Sequence, residues 1–597
     1  MSSARHAPLI LSLVGGAALL AGACTGDRDG FRDDEPPQFP DAEAPPPDAC
    51  NGLRCSRDLK KVLKGCTDEV VENCGPDLGC GEGACVDACR SAELSKGSTG
   101  CAFWTIPPTT DPDLSRGSCF AAMIANTWNR PVTLSAALGA DPLDISKSAY
   151  IARKVGEVTS YELLTGALPV GEVAIVFLSQ MDLPPATRGF APCPASVEPA
   201  FVGDPIRHRT ALTRAFHLSA DAPVTAYSIF PYGGASSFVP TATLLLPTSS
   251  WSTNYLAVST APVDSNARRF IQLVANEDDT EVWIAPKAKI DDGLDVDGTA
   301  RGVAKRWTLE RGQALQISQR DDLTGSPIEA NKPVGLFGGA ECSNIPANVP
   351  SCDLTQQQIL PLAQWGSEYA LVPYRPRIAD GNGTDVATYE KVPYSFVGAV
   401  AGTVLTYDPV RPQGAPETLE AGQIAHFMSD RLFVVKSQDA SHPFHAAVHM
   451  TGELFNSPDG VTLTPGDPDF VNLVPSEQFL DRYVFFTDHT YPETTLTFVR
   501  RRTTRGFLPV ELSCAGELTD FRPLGSSGEY EYAWIQTTRD SLPQKLGKGE
   551  CGYGRLEAHS DGPFSVTVWG VGRAASYGYA GRMGSRPIND AKVPVVR

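Results

Sequence analysis

The chain has 597 residues, with 69 acidic against 50 basic side chains and a formal net charge of −19. An acidic surface of this size excludes nucleic acid and anionic lipid as partners held by charge. Fifteen cysteines in one chain point to an oxidising compartment.

Residues 1–23 read as an export signal. Arg5 supplies the positive end, Leu9 to Leu20 forms an apolar core, and Ala21-Gly22-Ala23 are small residues ahead of Cys24. The apolar stretch is too short for a permanent membrane helix. Small residues followed at once by Cys resemble a lipobox. That resemblance implies cleavage before Cys24 and a lipid thioether on its sulfur, with palmitate-type acyl chains holding the protein on a membrane. The alternative is an ordinary secretory signal with an incidental Cys. Thr25, rather than Asp, follows the Cys, which favours the outer membrane and cell surface over the inner membrane.

Residues 24–48 form a tether. Eight acidic side chains face two arginines there, and Pro36-Pro37, Pro40 and Pro45-Pro46-Pro47 break any regular element. With almost nothing apolar to bury, no core forms. Pro-rich chain extends about 3.1 Å per residue, so the tether reaches roughly 70 Å.

Residues 49–100 are Cys-rich. Eight cysteines lie between Cys50 and Cys101, without the Cys-x-x-Cys or interleaved His that zinc requires. A disulfide framework is expected, because so short a segment cannot fold on apolar burial alone. Ser56 to Leu63 reads as a short helix capped by Ser56, and the remainder as Gly-rich loop. The segment serves as a stapled spacer or as a small binding module. Farther along, Cys342 with Cys352 and Cys514 with Cys551 are expected local pairs, leaving Cys119 and Cys193 as further disulfide candidates.

From residue 101 onward a phrase recurs. Ser219-Ala220-Asp221-Ala222-Pro223-Val224, Glu329-Ala330-Asn331-Lys332-Pro333-Val334, Asp439-Ala440-Ser441-His442-Pro443-Phe444 and Ser560-Asp561-Gly562-Pro563-Phe564 place their prolines 110, 110 and 120 residues apart. Each is a polar turn ending in Pro, followed by an apolar run of strand type. A fixed period of domain size means one folding unit used repeatedly. Four β-units are expected, over 101–260, 261–375, 376–485 and 486–597. Strand-length apolar runs alternate with Gly, Pro, Asn and Asp clusters, so the fold class is all-β: tandem β-sandwich-like units, with a β-propeller as the runner-up. In the second unit Phe270–Val274 is a strand, Asn276–Asp279 a turn and Thr280–Ile284 the return strand. In the first, Met123–Trp128 and Val132–Leu134 stand in the same relation. A closing phrase, Leu246-Pro247…Trp251…Tyr255, returns as Leu360-Pro361…Trp365…Tyr369 and, without the Trp, as Val474-Pro475…Tyr483. A buried Trp at these joins is expected to knit neighbouring units together.

These residues resemble the N-terminal region of IgGFc-binding proteins, including bacterial surface lipoproteins. Three stretches carry the resemblance: Asp322 through Gly339 with Cys342, Cys352, Leu360-Pro361 and Trp365-Gly366; Val274 through Ile284; and Pro563 through Gly570 with Ser576 to Tyr579. It covers roughly residues 100 to 590. The resemblance implies an extracellular adhesion or matrix-type module and supplies no ligand residues.

Catalytic patterns are missing from the sequence: there is no Gly-x-Ser-x-Gly, no His-Glu-x-x-His and no phosphate loop. His445 and His449 share a face if their run is a strand, but about 13 Å would separate them, too far for one metal ion. Asp291, Asp295 and Asp297 hint at a structural calcium loop. Aligned as an EF-hand, however, the stretch has Gly293 at its first position and Ala304 where the bidentate Glu belongs. Aromatic residues near turns are the ligand-binding candidates: Phe230, Tyr232 and Phe238, then Tyr577 and Tyr579. The expectation is a non-enzymatic, lipid-anchored surface protein binding an extracellular protein or glycan. A structural envelope component and a secreted hydrolase are the rivals.

Overall fold

The computed structural model describes residues 52–593 apart from 66–68, 112–113, 156–157, 183–188, 238, 261–266, 348, 350–351, 378–389 and 456–463. The architecture is all-β, as expected, with strands dominating every part after residue 98. The lipidation position Cys24 and the tether lie outside the described residues.

The recurring phrase marks a corner. In the second repeat the strand Pro327–Ser343 runs through Pro333 without a break. Before the proline it pairs with Ser252–Leu256 on one side and Thr280–Ile284 on the other. After it, the same strand pairs with Arg269–Ala275 and Asp353–Ile359. One bent strand thus belongs to two sheets. Proline suits the corner because it has no N–H to offer a ladder, so no pairing is lost where the partners change.

Phe216–Phe230 bends in the same way at Pro223. Its first half pairs with Thr99–Thr105 and Leu134–Leu138, and its second half with Phe120–Asn126 and Thr241–Leu245. Gly554–Gly572 bends at Pro563, between partners Leu480–Thr487 and Val510–Leu512 on one side and Glu493–Arg501 and Ala575–Ala580 on the other. The third repeat breaks its strand into Phe433–Ser437 and Phe444–Met450, and the two pieces keep the same kinds of partner.

This arrangement corrects the expected hairpins. Arg269–Ala275 and Thr280–Ile284 do not pair with each other; both pair with the bent strand, on opposite sides of its corner. The turn Asn276–Asp279 carries the chain from one sheet to the other. Phe120–Asn126 and Leu134–Leu138 behave alike. The sequence pattern of strand, turn, strand is the same for a hairpin and for a sheet crossing, so local signals do not separate them.

The last strand of each repeat faces a common axis. Thr241–Leu245 packs against Asp353–Ile359 and Ala575–Ala580, and Asp469–Asn472 packs against the same two. Side chains knit this ring. Gln357 Nε2 donates to the carbonyls of Ala242 and Gly578, at 2.8 and 3.2 Å. Asn472 Nδ2 donates to the Gln358 carbonyl at 2.9 Å. The repeats are therefore sandwich-like bodies standing in a ring around one axis.

Residues 581–593 then run across the joins. The Met583 carbonyl accepts from Ser98 N, Ser585 N donates to the Lys96 carbonyl, Gly584 N donates to Gln478 and Ile588 N to Ala363. Asn589 Nδ2 donates to the carbonyls of Leu362 and Trp365. The end of the chain thereby binds the start of the first repeat, closing the circle.

The Cys-rich segment differs from its expected form. No helix spans 56–63. The Ser56 hydroxyl instead accepts from Lys60 N and Lys61 N, which holds a turn, and Lys61–Lys64 is a strand. Serine makes such local backbone bonds in turns as readily as at caps. The helix is Ala88–Ser95, capped by Asp87, whose side chain accepts from Arg90 N. Disulfides join Cys55 to Cys80, Cys74 to Cys85 and Cys89 to Cys101. The segment docks on the ring: Trp128 Nε1 donates to the Pro76 carbonyl and Arg57 pairs with Asp481, each at 2.8 Å.

Candidate functional site

Polar clefts open where repeats meet. One, of about 510 Å³, lies between the first and fourth repeats and is lined by Arg153, Lys154, Glu172, His489, Tyr553 and Arg555 among others. Its volume falls in the range of small-ligand sites. The strand Ala149–Val155 presents Arg153 and Lys154, while the fourth repeat brings His489 and Tyr553. Lys154 Nζ donates to the His489 carbonyl at 3.0 Å and sits 3.9 Å over the Tyr553 ring. The His489 ring stacks on Tyr553 with centroids 5.7 Å apart, and the Tyr553 hydroxyl donates to the Tyr491 carbonyl at 2.6 Å. Arg153 grips Glu172 with two bonds of 2.9 Å, a geometry that fixes both groups.

Electrostatics keep this cleft's histidine neutral. Burial pushes His489 down to about 4, helped by the nearby Lys154 and Arg153 charges. At neutral pH the cleft thus holds two arginines and a lysine against glutamates, with an aromatic pair in its wall. A second cleft, of about 730 Å³, lies between the first and second repeats. There Arg214 pairs with Asp141 at 2.9 Å, Arg207 with Asp295 at 2.5 Å, and the Arg311 guanidinium lies 5.5 Å from the Trp104 ring centre. Both clefts offer hydrogen-bonding charges on rigid strands and turns.

The residues singled out in the sequence fall elsewhere. Phe230 is 5% exposed, Tyr232 0%, Tyr577 1% and Tyr579 0%, so none of these presents a platform to solvent. Each has an interior task instead. The Tyr232 hydroxyl meets that of Tyr161 at 3.0 Å, the Tyr577 hydroxyl accepts from Asp488 N at 3.0 Å, and the Tyr579 hydroxyl donates to the Phe486 carbonyl. Glycine-rich surroundings suggest surface loop. They are tight packing instead: Gly570 and Gly578 leave room for the Tyr577 and Trp569 rings. Phe238 lies outside the described residues.

Asp291, Asp295 and Asp297 do not converge. They face Lys289, Arg207 and Lys305 respectively, at 2.9, 2.5 and 3.6 Å. Among the described residues no three His, Cys, Asp or Glu side chains are grouped so as to hold a metal ion. His445 and His449 do lie on one strand, Phe444–Met450, and are buried. Their Nε2 atoms meet Asn472 Oδ1 at 3.0 Å and Ser395 Oγ at 2.9 Å. Disulfides join Cys342 to Cys352, Cys514 to Cys551 and Cys119 to Cys193.

The clefts themselves escape sequence reasoning. Arg153 and His489 are 336 positions apart in the chain, and only closure of the ring makes them neighbours. Among the described residues no helix is long and apolar enough to cross a membrane.

A family model described as IgGFc binding protein matches residues 241–570, from the axis strand of the first repeat to the bent strand of the fourth. The human (Homo sapiens) IgGFc-binding protein is 29% identical over 126 residues, covering 21% of this chain and 2% of that protein. The chain thus spans only a small part of that relative. No solved structure matches it. With more than half of its length matched by the family model, the chain belongs to the IgGFc binding protein family.

Proposed function

We propose that this chain is an extracytoplasmic binding protein, lipid-anchored through Cys24 and held off the outer membrane by its acidic tether, that recognises an extracellular protein or glycan. Membership of a family named for binding is the observation that carries the reading. Six described disulfides support an oxidising compartment. The cleft between the first and fourth repeats is the place proposed for the ligand, because it combines a suitable volume with arginine, lysine and aromatic groups held on strands. Its residues bind and orient; the proposal assigns them no catalytic step.

The four repeats are proposed as folding units; because the strand after each closing phrase pairs with the bent strand that follows it, we propose joins at 246–251, 360–367 and 473–479 in place of the boundaries expected near 260, 375 and 485. Hydrogen exchange that opens the strands of one repeat together is the expected result, and opening that cuts across the repeats would count against the division.

The anchor and the binding reading have separate tests. Fatty-acid labelling lost in Cys24→Ala, together with protein shed from intact cells, is expected; retained labelling removes the anchor. Purified full chain displayed to glycans and to extracellular proteins should retain a partner, and Lys154→Glu in the cleft should abolish retention. A partner that binds the variant equally well excludes the cleft. A blank display favours a structural envelope role.

A further inference from the structure

Each repeat has one strand set two places from its bent strand. These are Val173–Gln180, Gln313–Gln319, Ile424–Ser429 and Tyr530–Arg539, beside Phe120–Asn126, Arg269–Ala275, Val392–Gly398 and Glu493–Arg501 respectively. Three of the four have a further strand laid antiparallel on the outer side. Ala149–Val155 covers the first, Ala211–Arg214 the second and Arg522–Leu524 the fourth. Among the described residues no strand covers Ile424–Ser429.

Burial follows the cover. In the second repeat Ala211 pairs with Gln316, Leu212 with Leu315 and Thr213 with Ala314, and Ala314, Leu315 and Gln316 are all buried. Their counterparts 110 positions on are Ile424, Ala425 and His426. Ile424 and Ala425 are half-buried, and His426 is exposed. The backbones differ as well. A strand in an antiparallel pair turns the N–H and C=O of alternate residues to opposite sides. Ser318 turns its pair outward, where its N donates to the Thr210 hydroxyl and its carbonyl accepts from it, both at 3.1 Å. The outward pairs of Ile424, His426 and Met428 bond no described group.

The stretch that could cover this edge is tied elsewhere. Residues 321–324 stand 110 positions after Ala211–Arg214. There the Asp322 carboxylate accepts from Thr324 N at 2.9 Å, the Thr324 hydroxyl at 2.7 Å and the Ser259 hydroxyl at 3.0 Å. These bonds hold the stretch on its own repeat. The edge also lacks the usual guards against pairing: Ile424–Ser429 has no lysine or proline, and no bulge breaks its register with Val392–Gly398.

We propose that Ile424–Ser429 is a docking edge for an extended segment of a partner protein, which joins the sheet as an antiparallel strand. A row of N–H and C=O groups at strand spacing is complementary to another polypeptide backbone. The side-chain fit is read from the strand that covers the second repeat, where Ala211 and Thr213 are buried and Arg214 is exposed. The partner segment therefore carries small side chains at alternate positions. This edge belongs to the third repeat and is independent of the cleft between the first and fourth.

The test uses the full chain and, as probe, an end-blocked peptide with the sequence of residues 209–215, Arg-Thr-Ala-Leu-Thr-Arg-Ala. In the free chain the amides of Ile424, His426 and Met428 are expected to exchange about tenfold faster than those of Ala314, Gln316 and Ser318. Peptide at about 1 mM should slow the first set about tenfold. His426→Pro removes one outward N–H and spares the bonds to Val392–Gly398, so it should stay folded and lose the effect of the peptide. Should that variant not fold, a peptide N-methylated at the positions of Ala211 and Thr213 takes its place and should protect nothing. The proposal falls if the free chain protects both sets of amides equally, which means that it covers its own edge. It falls if protection rises with chain concentration alone, which assigns the edge to a second copy. It falls also if the peptide leaves exchange at 424–429 unchanged, or if the folded variant or the methylated peptide behaves like its parent.

Discussion

The first repeat and the three after it secure the same join by different means. In the later repeats a tyrosine acts as a latch. The hydroxyls of Tyr255, Tyr369 and Tyr483 accept from the backbone N three positions earlier, at 3.2, 3.1 and 3.0 Å. They donate to the carbonyl just after the corner proline, that of Val334, Phe444 and Phe564, at 2.7, 2.6 and 2.5 Å. The first repeat has Phe103 in this position, since Gly100 pairs with Val224 as Ser252 pairs with Val334. Its opening strand is held otherwise, by the Cys89–Cys101 disulfide and by the C-terminal segment meeting residues 96–98. In the later repeats a buried hydrogen bond latches the strand, and residues 584–589 cross those joins as well. The strand at the seam of the ring takes a covalent link and the other end of the chain.

Four variants and one control put this contrast to the test. The largest effect is expected at Trp365, which is 0% exposed and donates to the Leu360 carbonyl at 3.1 Å. Trp365→Ala should cost about 3–5 kcal/mol in denaturant unfolding. The equivalent positions Thr99 and Phe479 carry no indole, and the contrast would weaken if Phe479→Ala cost as much. At the seam, Cys89→Ser with Cys101→Ser should lower stability by about 3 kcal/mol and loosen the first repeat before the others in hydrogen exchange. Uniform loosening would mean that the link does not guard the seam.

Tyr369→Phe removes a hydroxyl and strands the Phe444 carbonyl, an expected cost of about 1–3 kcal/mol. Equal stability by calorimetry would deny the latch any weight. The smallest change is expected from Phe103→Tyr, which offers the missing hydroxyl to the Val224 carbonyl. Its unfolding free energy should stay within about 1 kcal/mol of the parent, and a larger loss would show that the first join has a different shape.

Several features are legible in the order of residues. Val–aromatic runs between polar turns specify the all-β class, because strand periodicity is written locally. Disulfides at Cys342–Cys352 and Cys514–Cys551 can be anticipated because each pair closes a short stretch of chain. The helix expected over 56–63 fails for a local reason too: Ser56 bonds a turn, while Asp87 makes the true cap, and both residue types serve either purpose. Phe230, Tyr232, Tyr577 and Tyr579 lie in the interior rather than on loops, and glycine near an aromatic ring signals either a loop or a close approach. The Cβ that Gly570 lacks would lie 1.9 Å from a Tyr577 ring carbon, so here the glycine makes room for the ring.

By itself the chain's order of residues determined strand content and the even recurrence of the Pro-ended phrases and their closing phrases. These follow from short-range chemistry, in the alternation of apolar and polar groups and the missing N–H of proline. Tertiary structure alone decided which strands share a sheet, that the repeats close into a ring, and which groups share a cleft or a buried cluster. Lys154 reaches the His489 carbonyl through a contact between groups 335 positions apart in sequence. Such contacts depend on how whole sheets pack, and no local pattern encodes them.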